Sequence, residues 1–73
     1  MDDEESKEVV RRLFALLTAK MEDGGAIAAE GQAPDIDSAG AQDHANRIHY
    51  IGQECMTLAD AIIGLSPNMA KAS

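Results

Sequence analysis

Residues 38–66, SAGAQDHANRIHYIGQECMTLADAIIGLS, decide the fold. Within them Ile48, Ile51, Cys55, Leu58, Ile62 and Leu65 recur at alternating spacings of three and four. That is the seam of a helix that lies along another helix. Beside the seam, Ala45, Gly52 and Ala59 recur every seven residues, with Ser38 and Ser66 in phase at either end. A bulky seam wants a partner helix, and a small-residue column lets a backbone come close. A third column, His49, Met56 and Ile63, widens the apolar face. At about 100° per residue the columns cover on the order of 200°, against about 100° for an ordinary surface helix. One neighbouring helix cannot cover that arc.

Toward the amino end, Val9, Val10, Leu13, Phe14, Leu16, Leu17 and Met21 follow helical spacing, with Arg11, Arg12, Thr18 and Glu22 over much of the opposite side. Ser6 or Asp3 is placed to cap this helix, and residues 1–5 form an acidic, frayed start. Asp23-Gly24-Gly25 reads as a stop, since glycine accepts the left-handed conformation at a helix end. Helix one is therefore expected over about residues 6–22. The stretch 24–37 reads as a hinge, in which Ala26–Glu30 could add a turn or two before Gly31 and Pro34 end it. Asp37 or Ser38 caps helix two, expected to run to about 64, where Gly64 and Ser66-Pro67 read as a stop and 66–73 as a flexible tail. The expected fold is all-α: a two-helix antiparallel hairpin over residues 6–65, with a four-helix bundle open to two copies.

A chain of 73 residues buries little surface by itself, and this one has no staple. Its single cysteine excludes an intramolecular disulfide and a structural zinc site. Only Phe14 and Tyr50 supply aromatic bulk. Oligomerisation or partner binding is the expected source of extra stability. The net charge of −7 speaks against nucleic acid and against an anionic membrane surface. No apolar run reaches transmembrane length and no signal segment opens the chain, so a cytoplasmic protein is expected.

Candidate chemistry is thin. His44 and His49 are five residues apart and so lie on different faces of one helix, whereas paired helical ligands sit three or four apart. Cys55 shares a face with His44 but sits about 16 Å along the axis. The plainer reading has His44 continuing the bulky seam, His49 at the edge of a packing face, and Cys55 packing among apolar neighbours as a small hydrophobe. Asp35-Ile36-Asp37 lacks the further ligands of a calcium loop and suits capping instead. Gly24-Gly25 lacks the strand and lysine of a phosphate loop. No nucleophile, base and acid fall in a catalytic context. We expect no enzyme, no cofactor and no metal.

Val9–Met21 as a first apolar helix, an acidic Gly/Ala hinge, and Asp43-His44-Ala45-Asn46-Arg47-Ile48 opening a heptad-patterned second helix together carry a resemblance. The layout, over residues 6–65, resembles the small helical antiactivators of bacterial quorum sensing, in particular the type found on rhizobial mobile elements. The resemblance implies a protein that holds a LuxR-type, acyl-homoserine-lactone-responsive transcriptional activator inactive and so represses conjugative transfer. It carries over no catalytic residue. Asp43-His44-Ala45, Tyr50 and Cys55 also resemble, loosely, the second helix of the plasmid-copy-number hairpin that binds paired RNA loops. That alternative needs a basic face on helix one, for which Arg11, Arg12 and Lys20 are thin support. A structural homodimer without regulatory role is the third reading. The residues expected to bind a protein partner are Ala45, His49, Gly52, Met56, Ala59 and Ile63 of helix two with Phe14 and Leu17 of helix one.

Overall fold

The structure, a computed structural model, describes residues 3–70 and consists of two long helices, α1 (Asp3–Glu30) and α2 (Ser38–Ala70), joined by the loop 31–37. They pack antiparallel along their length, giving a rod of 53 × 14 × 14 Å. No strand occurs among the described residues, and no described helix is long and apolar enough to cross a membrane. The expected all-α hairpin is the fold.

Both helices overrun the expected stops. Helix α1 starts at Asp3 rather than residue 6, with Asp3, Glu4 and Glu5 in its first turn, where carboxylates suit the helix dipole. Ser6 is therefore inside the helix and not its cap. At the other end, α1 passes straight through Gly24-Gly25, and no glycine takes a positive φ. Two helical glycines cost about 1 kcal/mol each. The strong formers Ala26, Ala28 and Ala29 and the burial of Ile27, only 7% exposed, offset that cost. The helix ends instead on tightened three-residue turns, Gln32 N–H to Ala29 O and Ala33 N–H to Glu30 O, with Pro34 just beyond. The hinge thus shrinks to 31–37.

Asp37 is the cap of α2. Its carboxylate accepts the Gly40 N–H at 2.7 Å and its carbonyl accepts the Ala41 N–H at 2.9 Å. Gly40 matters here: a Cβ would sit 3.1 Å from that carboxylate oxygen and 3.2 Å from Ile36. Helix α2 then runs through Gly64 and through Pro67 to Ala70, so residues 66–70 are helix and not tail. Proline has no N–H to offer the Ile63 carbonyl, but the Ser66 hydroxyl donates to that oxygen at 2.9 Å. Residues 71–73 of the expected tail, and 1–2 of the expected frayed start, lie outside the described residues.

On α1 the positions Ser6, Val10, Leu13, Leu17, Lys20, Gly24 and Ile27, all buried or half-buried, repeat at four and three, and Gly31 just past the helix end keeps the spacing. Ile51, Cys55, Leu58, Ile62, Leu65 and Met69 answer on α2, with His44 and Gly40 continuing the line. Ile48, expected in the seam, lies at its edge. The register is fixed by three cross-helix neighbours. Lys20 Nζ donates to Glu54 at 2.9 Å, a Cβ on Gly24 would touch the Ile51 methyl at 3.6 Å, and His44 Nε2 lies 3.3 Å from the Glu30 carboxylate.

Very little of this seam is dry. Among the described residues, Val10 and Ile27 are the only buried apolar side chains, at 4% and 7% exposure. The chain exposes 5224 Å², about 900 Å² more than the roughly 4,300 Å² of a compact monomer of its mass. Its radius of gyration is 16.6 Å, against roughly 11 Å for a compact chain of this length. The hairpin is a half-built core.

Candidate protein-docking face

A packed antiparallel pair has two open sides, and here they differ in chemistry. One side carries the residues next to the seam on α1, Phe14, Met21 and Ala28, and next to the seam on α2, Ala45, Gly52 and Ala59. The register sets Phe14 beside Ala59, Met21 beside Gly52 and Ala28 beside Ala45. Ala28 and Ala45 do line one shallow cleft together, over Ile27, His44 and Ile48. Beyond the small column on α2 stand His49, Met56 and Ile63. The last two are 68% and 67% exposed, and Phe14 and Met21 are more than half exposed. A Cβ at Gly52 would meet nothing within 4 Å, so the small column is an open trough and not a point of α1–α2 contact. Apolar side chains stand on both banks of it.

The other side is polar. Asp23, Glu30, Arg47, Tyr50 and Glu54 line a cleft there, continued by Leu16, Gln53 and Thr57. Glu54 raises the Lys20 ammonium above its ordinary value, chiefly through their hydrogen bond and then through charge attraction. Glu5, Asp23, Glu30, Asp43 and Glu54 project on this side or away from the trough. Glu8, Glu22 and Asp60 fall on the outer rim, and on the trough side itself Glu4, at the very start of α1, is the single carboxylate of the two helices. An apolar centre with a charged rim is how protein interfaces are built.

Of the residues expected to bind a partner, Phe14, Ala45, His49, Gly52, Met56, Ala59 and Ile63 come together on the trough side. Leu17 does not. It falls on the seam, half-buried between the helices, because the seam on α1 follows the 4–3 repeat from Ser6 to Ile27. Met21 belongs to the face and was not among the expected residues. Leu16 and Tyr50, also well exposed, lie on the polar side. The signal for Met21 was its spacing of seven from Phe14.

The five Lys and Arg side chains among the described residues all have carboxylate neighbours. Lys7 pairs with Glu4, Arg11 and Arg12 both with Glu8, Lys20 with Glu54, and Arg47 with Asp43, at 2.9–3.9 Å. Cys55 is half-buried on the seam and its thiol has no disulfide partner. Among the described residues, no group of three or more His, Cys, Asp or Glu is gathered to hold a metal ion. No protein-family profile matches this chain, and no curated protein or solved structure matches it.

Proposed function

We propose that this protein is a small acidic regulator that acts by protein binding, docking an apolar helix of its partner into the Ala45–Gly52–Ala59 trough. The observation that supports this best is the exposure of Met56, Ile63, Phe14 and Met21 around an open small-residue column, with only two apolar side chains buried among the described residues. An amphipathic helix laid into such a groove buries its apolar face against both banks. The partner we favour is a LuxR-type transcriptional activator in the cytoplasm, held inactive while bound, as the resemblance to quorum-sensing antiactivators implies. No catalytic step is part of this reading.

The RNA-binding reading is weaker on physical grounds. Phosphate binding needs cations free to replace counterions. Here Glu8 is shared between Arg11 and Arg12, and Lys20 is engaged by Glu54.

The test is co-expression with a LuxR-type activator and a reporter driven by it. Co-elution of the two proteins and repression of the reporter are expected, and the double variant Met56→Glu/Ile63→Glu should lose both. An activator that neither co-elutes nor loses activity would sink the reading.

A further inference from the structure

We infer that the isolated chain covers this same face with a second copy of itself, two hairpins pairing through their troughs as a four-helix bundle. Charge selects that occupant. Each copy carries −7, so two copies repel least where carboxylates are fewest. The trough side is that place: Asp23, Glu30, Asp43 and Glu54 point elsewhere, and the one carboxylate on it, Glu4, is offset by Lys7 at 3.9 Å.

Area agrees with charge. The surface exposed beyond that of a compact monomer, about 900 Å², is close to the roughly 800 Å² that each partner contributes to a standard stable interface. Shape agrees as well. A two-fold axis running along the helices lays α1 of one copy over α2 of the other at the same level. Phe14 and Met21 of one copy then stand over the Ala59 and Gly52 positions of its mate, large side chains over small ones.

Self-association through this face has a regulatory consequence, and that consequence rests on the proposed function. The dimer is the closed form, and only a dissociated chain can take the partner helix. Abundance of the protein therefore does not translate linearly into free binding face.

The deciding experiment is sedimentation equilibrium of the full chain between roughly 1 µM and 1 mM, followed by addition of the activator. A species of twice 7.7 kDa is expected to grow with concentration. It should strengthen with added salt, which screens the repulsion between like-charged copies. Met56→Glu/Ile63→Glu should raise the dissociation constant on the order of a hundredfold or more, since it buries carboxylates in the contact. Its helical content by circular dichroism should be unchanged, because both sites are exposed in the monomer. Ala61→Glu, on the polar side, should leave the dimer intact. A monomer throughout the range, an undisturbed dimer in the double variant, or equal weakening by Ala61→Glu would overturn the pairing. An activator that binds the chain when no dimer is seen overturns the pairing and leaves the proposed function standing. A dimer that the activator neither binds nor dissociates does the reverse, and an activator bound to an intact dimer overturns the regulatory consequence.

Discussion

Pro67 removes one amide hydrogen from α2, and the Ser66 hydroxyl supplies another in its place at the Ile63 carbonyl. Leu65 and Met69 can then stay on the seam, two residues either side of the proline. Ser66→Ala withdraws that donor, and we expect a loss of about 1 kcal/mol with amide exchange rising first in residues 68–70. Uniform exchange along α2 in the variant would show that the hydroxyl does not hold the last turn. Ser6 is the opposite case. It is fully buried on the α1 seam and its hydroxyl finds no hydrogen-bond partner among the described residues. Ser6→Ala deletes a desolvated polar group and improves helix propensity, so we expect about 1 kcal/mol of stabilisation. A destabilised alanine variant, read as a lower urea midpoint, would mean that the hydroxyl does have a partner.

At the scale of the elements, the α2 seam was legible because one helix supplies its own period: Ile51, Cys55, Leu58, Ile62 and Leu65 could be read without knowing what faces them. The helix ends were not legible. Gly24-Gly25 and Ser66-Pro67 carry strong local stop signals, and the tertiary seam overrides both, through Ile27 in one case and through Leu65 and Met69 in the other. The α1 seam was only half legible, since it includes Ser6, Lys20 and Gly24, residues that no apolar pattern would choose. Lys20 sits where a hydrophobe would otherwise go, its stem covering the seam while its ammonium reaches Glu54. A polar residue at such a position fixes register. Because the folded-state value of Lys20 is raised, the contribution of this pair is fully present below the unfolded lysine value and is lost as pH rises through the folded one. Thermal midpoints should therefore be insensitive to this pair from neutral pH up to the ordinary lysine range and fall beyond it. Lys20→Met should remove that part of the alkaline loss. Parallel curves for the two proteins at high pH would show that the pair contributes nothing to folding.

For the whole molecule, the question is which side of a thin rod is unfinished. The face was legible in part: the Ala45–Gly52–Ala59 and His49–Met56–Ile63 columns stand on α2 alone, whereas the roles of Met21 and Leu17 depend on a register that Lys20–Glu54 and His44–Glu30 set. Gly52 is the residue at which folding and docking can be separated. Inside the hairpin it touches nothing that a side chain would strike, so its cost to the isolated chain is that of any helical glycine. Gly52→Leu should therefore stabilise the monomer by about 1 kcal/mol, as a gain in helix propensity. The same leucine fills the trough that an incoming helix needs, so association should weaken while folding improves. Melting of dilute monomer and sedimentation of concentrated protein read the two effects independently. A leucine variant that melts higher and associates as well as the wild type would move the docking surface elsewhere on the rod. One that melts lower would show that the small column already serves contacts within the hairpin.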